Sequence, residues 1–232
     1  MTDSDHRFWA VVPAAGLGRR MGLSQPKQFL SVAGRSLLAH SLERLASVPG
    51  LAGIVLVVRA PGQPGDWGLS DVSLVEVEGG AERSDSVLAG LEWLVAHQGA
   101  GTWALVHDAA RPGVRVTDVE TLMQYCRTHN HGAILGLPSR DTVKQADDTG
   151  HAVTTLDRER IWLAQTPQCF RAGPLQQALV AGREQALNVT DEASAMEAQG
   201  HPVGLVRGHW RNAKLTDPED LDLIEWILTH ND

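Results

Sequence analysis

Six short, nearly continuous apolar runs alternate with segments of helical periodicity along this chain. Strands that are buried on both faces have this composition, because helices cover both sides of a parallel sheet. The pattern predicts an α/β fold with a doubly wound, mostly parallel sheet, which binds ligands at the carboxyl ends of its strands. The predicted strands are Phe8–Pro13, Gly53–Arg59, Val72–Val77, Thr102–Asp108, Gly132–Pro138 and Pro202–Val206.

Helical periodicity fills the intervals between these strands. A last helix is predicted from Pro218 to Thr229, with Asp217 as its N-cap, because proline is well tolerated in the first helical turn. The other predicted helices are Ser36–Ser47, Glu82–His97, Thr117–Thr128, Pro174–Ala186 and Thr190–Gln199.

Residues 139–160 interrupt this alternation. They are polar and charged, with alternating apolar positions in His151–Leu156 and a turn signal in Asp147–Gly150. The pattern predicts a β-hairpin arm that projects from the sheet. A hairpin of this length is marginal in isolation, so we expect it to pack on a partner subunit. Residues 1–232 otherwise form a single predicted domain, because no linker or repeat divides them.

The composition restricts the partners and the compartment. A formal net charge of −8 argues against nucleic-acid binding, which requires a basic face. The apolar runs are shorter than the ~20 residues that span a bilayer, and the acidic N-terminus does not resemble a secretory signal. Two cysteines are too few for a disulfide framework. We therefore expect a cytoplasmic protein that binds neither nucleic acid nor membranes.

The segment from Pro13 to Met21 follows the first predicted strand and combines small residues with cations. Small residues allow the backbone to approach a ligand closely, and successive N–H groups form an anion-binding concavity. Arg19, Arg20 and Lys27 lie close together in an otherwise acidic chain. This loop predicts a binding site for the phosphates of a nucleoside triphosphate. A plain turn with solvated arginines is the alternative that the composition leaves open.

Two common phosphate-binding motifs fit this loop less well. A P-loop ends in Gly-Lys-Ser/Thr, whereas Gly18 is followed by two arginines. The dinucleotide fingerprint requires a third small residue where Met21 stands, and an acidic residue where Arg59 closes the second strand. These departures disfavour an NAD(P)-binding oxidoreductase, which is the alternative from another functional class.

Eight segments in order carry a family resemblance. The loop at Ala10–Met21, followed by Pro26–Gln28, is the first of them. The others are Gly79–Val87, Val106–Pro112, Arg140–Lys144, Asp157–Arg158, Gln165–Gln168, Thr190–Ser194 and Asn212–Thr216. Together they resemble the 2-C-methyl-D-erythritol 4-phosphate cytidylyltransferases of the non-mevalonate isoprenoid pathway. One segment would be weak support, but the ordered series extends over almost the whole chain.

The resemblance implies a Rossmann-like nucleotidyltransferase that joins CTP to a polyol phosphate, with Mg²⁺ as cofactor and a homodimer as the assembly. By motif position, the implied catalytic residues are Arg20, Lys27, Arg158 and Lys214. The implied nucleotide-binding residues are Pro13, Ala14, Ala15, Gly16, Gly18, Arg19, Gly80, Ala81 and Ser86. The implied substrate-binding residues are Asp108, Arg111, Thr142, Thr166 and Thr190.

This reaction requires cations rather than a general base. The nucleophile is a phosphate oxygen, which is largely ionised at neutral pH because its second pKa is about 6. The enzyme has to align two anions and neutralise the charge that develops in the transition state. We expect Mg²⁺ to be held mainly by the CTP phosphates, with Asp108 as a candidate ligand. Thr142 and Arg158 lie on the predicted arm, so the resemblance implies that they complete the partner's site.

Ala81 departs from the family pattern, which often has aspartate at this position. That carboxylate is linked to base or ribose recognition, so Gly80, Ser86 and backbone groups would have to read the base here. The alternative within the class is a cytidylyltransferase for another polyol phosphate, such as ribitol 5-phosphate. It shares the nucleotide loop and the segment around Asp108.

Three of the implied site residues also have ordinary structural interpretations. Thr190 suits a helix N-cap. Asp108 suits a helix N-cap or a buried partner of Arg111, and Arg158 suits a surface ion pair with the acidic residues that flank it.

Overall fold

The computed structural model describes residues 7–16, 26–62, 67, 69 and 72–230. Strands that are apolar at nearly every position form the centre of the protein. The strands are β1 (Phe8–Pro13), β2 (Ser31–Val32), β3 (Arg35–Ser36), β4 (Leu51–Val58), β5 (Ser73–Glu78), β6 (Trp103–Val106), β7 (Ala133–Pro138), β8 (Val143–Ala146), β9 (Ala152–Leu156), β10 (Trp162–Arg171) and β11 (Gly204–Arg207). The helices are α1 (Leu37–Ala46), α2 (Arg83–Gln98), α3 (Val116–His129), α4 (Ala172–Glu184), α5 (Glu192–Ala198) and α6 (Leu221–Thr229).

The central sheet has seven strands in the order β11-β7-β10-β6-β1-β4-β5. β1 pairs in parallel with β4 and β6, β4 with β5, and β7 with β11. β10 is antiparallel to both of its neighbours, β6 and β7. The predicted α/β fold with a mostly parallel sheet is therefore confirmed, with one reversed strand in its interior.

Alternate residues of β1 pack on opposite faces of the sheet. Trp9 and Val11 contact a cluster that includes side chains of α2, α4 and α5. Phe8 belongs to a cluster with α3, whereas Ala10 and Val12 belong to one with α1. Because helices cover both faces, each position of this strand is apolar, and each large side chain contributes about 1.5–3 kcal/mol on burial.

The sequence pattern did not predict β10 as a strand. Gln165, Thr166 and Gln168 are polar but buried, so the segment does not show the apolar run of a central strand. The pairing of β10 with β7 also shifts register between Ala164 and Gln168, which forms a bulge. Bulges of this kind redirect side chains and are common beside active sites.

The predicted helices are present, with displaced ends. α5 begins two residues later than predicted, because Asp191 rather than Thr190 is its N-cap: the Asp191 side chain accepts the Ser194 N–H at 2.9 Å. The predicted helix after Asp217 starts as a 3-10 turn, Pro218–Asp220, and continues as α6. The predicted role of Asp217 as N-cap is confirmed by its capping box.

The predicted hairpin within residues 139–160 is confirmed, because β8 and β9 pair antiparallel. Its turn is held by Asp147, whose side chain accepts the N–H groups of Thr149 and His151. Val153 and Leu156 on β9 are exposed. Within the described ranges, no helix has both the length and the apolar character that a membrane span requires.

Candidate active site at the carboxyl edge of the sheet

A cavity of about 190 Å³ opens where β1 and β6 end side by side. In the sheet, β4 lies on one side of β1 and β6 lies on the other. The cavity therefore lies where the strand order reverses, which is the switch point at which open α/β sheets bind ligands. The predicted residues that line it are Pro13, Ala14, Gly16, Lys27, Asp108 and Lys214. The other lining residues among those that the structure describes are Gln28, Arg83, Ala109 and Ala110.

The backbone after β1 is tied down by hydrogen bonds on both sides. The Ala14 N–H donates to the Val57 carbonyl at 2.7 Å. The buried Gln28 amide donates to the carbonyls of Ala14 and Gly16, at 2.6 and 2.8 Å. Gln28 therefore links this loop to the turn that carries Lys27. Gly18, Arg19 and Arg20 lie outside the described residues, and their roles stay predictions.

Lys27 begins a 3-10 turn after Pro26 and lines the cavity. Its ammonium donates to the Leu215 carbonyl at 2.6 Å. Leu215 directly follows Lys214, so this bond brings the two predicted catalytic lysines to one wall of the cavity. The sequence prediction that these distant lysines converge is consistent with this geometry.

Asp108 is the centre of the charge cluster. Its Oδ1 lies 2.8 Å from Arg83 Nε, and its Oδ2 lies 2.7 Å from Lys214 Nζ and 3.7 Å from Arg111 Nε. Burial would raise the pKa of Asp108, but these cations outweigh burial and hold the pKa well below its ordinary value. Arg83, Arg111 and Lys214 outnumber Asp108 and Glu192, which also pairs with Arg83, so the cluster keeps an excess of positive charge that suits an anionic ligand.

Arg111 is largely buried behind Asp108. Its Nη1 donates to the Asn212 carbonyl at 2.7 Å, which holds the segment that leads to Lys214. Burial lowers the pKa of Arg111. The predicted contact of Arg111 with substrate stays a prediction, and in this structure the side chain supports Asp108 and the loop that carries Lys214.

Thr166 and His107 form a buried network beneath Asp108. The Asp108 N–H donates to Thr166 Oγ1 at 3.0 Å, and this hydroxyl lies 3.1 Å from His107 Nδ1. His107 Nε2 lies 3.1 Å from the Arg111 carbonyl, which can only accept, so Nε2 carries the proton and Nδ1 accepts from Thr166. Thr166, predicted to bind substrate, thus uses its hydroxyl to hold Asp108.

His107 provides a pH-dependent test of this network. Burial lowers its pKa from 6.5 to about 4, so the unfolded chain binds a proton at a pH where the folded protein does not. We therefore expect the free energy of unfolding to decrease as pH falls through this interval, by up to about 3 kcal/mol. Urea unfolding as a function of pH measures it. The slope should become shallower in His107→Gln and stay unchanged in the control His201→Gln, at an exposed position; equal slopes in both variants would contradict the burial of His107 as a neutral imidazole.

The bulge of β10 connects several loops of the site. Gln165 Nε2 donates to the His209 carbonyl at 3.1 Å. Gln168 Nε2 donates to Asp191 Oδ2 at 2.9 Å, and Gln168 Oε1 accepts the Ala193 N–H at 2.8 Å. The segment before Lys214 and the start of α5 are thus both fixed to this one strand.

The predicted base-reading segment lies against the nucleotide loop. A Cβ on Gly79 would come within 2.6 Å of Ala15 Cβ and 2.8 Å of Ser86 Oγ, so only glycine fits there. The Ser86 hydroxyl donates to a carbonyl of its own helical turn at 3.1 Å. Ala81 is exposed beside this contact. Base contacts by Gly80, Ala81 and Ser86 stay predictions.

The structure does not bring Thr142 and Arg158 to the cavity formed by the described residues of their own chain. Both are exposed, and Arg158 Nη1 donates to the Arg140 carbonyl at 3.0 Å. Thr190 is also exposed, and its N–H donates to Ser194 Oγ at 3.1 Å. Its alternative interpretation as an N-cap is wrong, because Asp191 takes that position.

The donor set does not fit a metal ion held by protein groups alone. Within the described part of the chain, no group of three or more His, Cys, Asp or Glu side chains is placed to hold one. Asp108, the candidate ligand, has one oxygen 2.8 Å from Arg83 and the other 2.7 Å from Lys214. Each of its two oxygens thus already has a cationic partner.

A mostly parallel sheet with a small-residue loop and a cationic cavity at its switch point defines an α/β nucleotidyltransferase-like protein. The family model of 2-C-methyl-D-erythritol 4-phosphate cytidylyltransferase (IspD) matches residues 8–230. The chain belongs to this family.

Relatives and solved structures agree with this assignment. The chain is 44% identical to the 2-C-methyl-D-erythritol 4-phosphate cytidylyltransferase of Hahella chejuensis, over 97% of this chain and 94% of the relative. It is 46% identical to one from Pseudomonas putida, over 98% and 97%. The crystal structure of the Francisella tularensis protein of that name matches with a TM-score of 0.80 and 31% identity, over 95% and 99% of the two chains.

Proposed function

We propose that this protein transfers the cytidylyl group of CTP to 2-C-methyl-D-erythritol 4-phosphate, giving 4-diphosphocytidyl-2-C-methyl-D-erythritol and pyrophosphate in isoprenoid precursor synthesis. The observation that carries the proposal is the convergence of Lys27, Asp108 and Lys214 on one cavity at the end of β1. Family membership supplies the substrates, since its named relatives act on this phosphate.

In this reaction a phosphate oxygen of the acceptor attacks the α-phosphorus of CTP. A P–O bond forms there while the bond to the departing pyrophosphate breaks. Lys27 and Lys214, with Arg20 by motif position, would neutralise the charge that develops on the phosphates. Asp108 holds the Lys214 ammonium at 2.7 Å, so this cation is already oriented before the reaction and little reorganisation is needed.

We propose that Mg²⁺ enters the site bound to the CTP phosphates. When bound, it would neutralise phosphate charge as a Lewis acid. The engagement of both Asp108 oxygens by cations supports a metal held by the nucleotide rather than by this carboxylate.

We also propose a homodimer assembled through the arm at residues 139–160. On the arm, Val153 and Leu156 are apolar and 65% and 36% exposed, and Leu163 on β10 is 58% exposed. A second copy of the chain would bury this surface. It would also place Thr142 and Arg158 at the cavity of the partner, which would account for their distance from their own.

Mixing two inactive variants tests this shared site. Lys27→Ala disables the cavity of its own chain, and Arg158→Ala disables the arm that serves the other chain. After unfolding and refolding together, the mixture should recover roughly a quarter of the wild-type activity, because half of the dimers are mixed and each mixed dimer has one intact site. No recovery, despite dimers of normal mass in light scattering, would contradict the proposal.

We propose a cytoplasmic location. Cys126 and Cys169 are buried, free thiols. Unpaired cysteines fit a reducing compartment. A net charge of −8 argues against a nucleic-acid partner, whereas a local basic pocket can still bind small anionic substrates.

A substrate panel tests the proposed function. The pure protein is incubated with Mg²⁺, one nucleoside triphosphate and either 2-C-methyl-D-erythritol 4-phosphate or ribitol 5-phosphate, and pyrophosphate release is followed. We expect turnover with CTP and the methylerythritol phosphate. Turnover with ribitol phosphate alone would overturn the proposal, as would NADH binding without CTP binding. Comparison of CTP with UTP and ATP measures whether Ala81 relaxes base selectivity.

A further inference from the structure

Arg83 is a charged residue of the cavity wall that none of the sequence motifs assigns to a role. It is the first residue of α2, and its side chain is 34% exposed. Its Nε donates to Asp108 Oδ1 at 2.8 Å. Its Nη1 and Nη2 donate to Glu192 Oε1 and Oε2, at 2.7 and 3.1 Å. One guanidinium thus joins two carboxylates from two other elements of the fold.

Glu192 requires this cation. Its side chain is 1% exposed, and an ionised carboxylate buried to this degree is costly without a paired, hydrogen-bonded partner. Burial would lower the pKa of Arg83, but Glu192 and Asp108 outweigh burial and raise it above its ordinary value. The guanidinium therefore stays charged, and the three groups form one unit.

The elements that this unit connects belong to different halves of the site. α2 begins within the segment predicted to read the base, Gly79–Val87, and Asp108 follows β6. Glu192 begins α5, two residues after Thr190, which is predicted to bind the acceptor phosphate. Arg83 also determines the environment of Lys214, because it occupies one Asp108 oxygen and leaves the other to the lysine.

We propose that Arg83 is a positioning residue that fixes the acceptor side of the cavity relative to the nucleotide side, by holding Asp108 and Glu192 at the same time. This inference rests on the proposed cytidylyl transfer. Only a guanidinium suits the role, since its planar fork satisfies one carboxylate with two donors and presents a third donor to another.

Two other roles make different predictions. A guanidinium has five N–H donors and Arg83 uses three of them here, so it has donors for a direct contact with phosphate. In that case Glu192 would be unimportant for the reaction. If Arg83 only stabilises the fold, its loss would lower the melting temperature without a selective effect on either substrate.

The experiment is a double-mutant cycle of Arg83→Gln and Glu192→Gln, with kcat and both KM values measured. We expect each single variant to raise the KM for the acceptor phosphate about 10-fold, with a much smaller change in the KM for CTP. The double variant should be no worse than the worse single variant, because both substitutions break the same unit. Arg83→Lys should restore little, because one ammonium does not reproduce the fork.

Arg115→Gln is a matched control. Arg115 also stands at the start of a helix, is 35% exposed, and donates through Nε and Nη2 to Asp118, whose side chain is 7% exposed. It does not belong to the described wall of the cavity. We expect its loss to lower the melting temperature and leave both KM values unchanged.

Three results would overturn the inference: additive effects in the cycle, an unchanged acceptor KM in Glu192→Gln, or an equal rise of both KM values in Arg83→Gln. If Arg83→Gln does not fold, Glu192→Gln alone decides through its acceptor KM. Failure of the proposed function is seen separately, because the wild-type protein would then not turn over these substrates at all.

Discussion

Replacing Lys27 with alanine is expected to lower kcat by about 10²–10³-fold, the usual effect of removing one group aimed at developing charge. Lys27 lies in the cavity wall on a turn anchored by Gln28, and its ammonium is held 2.6 Å from the Leu215 carbonyl. The charge is thus oriented before substrates bind. Single-turnover kinetics with saturating CTP and acceptor measure the effect on the chemical step.

Two further variants separate charge from packing at this position. Lys27→Met keeps most of the side-chain volume and should be as slow as the alanine variant. Lys27→Arg keeps the charge and should recover part of the rate. The melting temperature should change little in either case, because the turn is anchored by Gln28. An unchanged kcat in Lys27→Met would show that Lys27 is not a transition-state stabiliser.

Asp108→Asn is expected to affect both stability and activity. The substitution removes a buried carboxylate that faces Arg83, Lys214 and Arg111, and breaking a buried ion pair costs about 3 kcal/mol. Lys214 also loses its orienting partner, so kcat/KM should fall by about 10–100-fold, the effect of one charged hydrogen bond. Urea unfolding and steady-state kinetics measure the two effects.

The pH dependence of this stabilisation has a definite sign. The pKa of Asp108 is below its ordinary value of 3.8 in the folded protein, so its contribution is fully present above that value and is lost as pH falls further. In the Asp108→Asn variant, this part of the decrease in the free energy of unfolding at low pH should be absent. Asp118→Asn is the control: its carboxylate is also paired with an arginine and nearly buried, so its loss should lower stability without lowering kcat/KM.

The Asp108→Asn variant also distinguishes the two sources of metal ligands. If Mg²⁺ is held by the CTP phosphates, the Mg²⁺ concentration that gives half-maximal activity should be the same as in the wild type. If Asp108 is a direct ligand, that concentration should rise clearly, since the amide is a weaker donor to a hard cation. We expect this Mg²⁺ concentration to be unchanged. A clear rise would show that Asp108 is a direct ligand of the metal.

The sequence predicted the fold well wherever burial alone determines the residue types. β1 has the predicted bounds, Phe8–Pro13, because helices cover both of its faces. β10 was missed because buried glutamines and a threonine at its bulge form hydrogen bonds to polar groups of the surrounding loops instead of packing in the core. Their partners come from distant parts of the chain, so no local pattern identifies them.

The sequence also predicted part of the candidate site, because it located strand ends and family segments. Lys27 and Asp108 stand beside predicted strand ends or in family segments, and the parallel sheet brings those ends together. Arg83 and Glu192 also lie in family segments, Gly79–Val87 and Thr190–Ser194, but they were not assigned roles, because in sequence each is an ordinary first-turn residue of a helix. Their pairing joins residues 109 positions apart and depends on how α2 and α5 pack on the sheet.

The hydrogen bonds at the bulge of β10 and those at the loop after β1 differ in the conformational entropy that the chain loses when they form. The loop after β1 is tied by hydrogen bonds that span 12 and 14 positions. The bulge is tied to the loops around it by bonds that span 44 and 58 positions. Because closure entropy grows with the logarithm of loop length, each long connection costs about 1 kcal/mol more than a short one. The bonds from Gln28 to the loop after β1 thus cost less chain entropy than the bonds of the bulge, although the loop also depends on the completed sheet through the bond of Ala14 to the Val57 carbonyl.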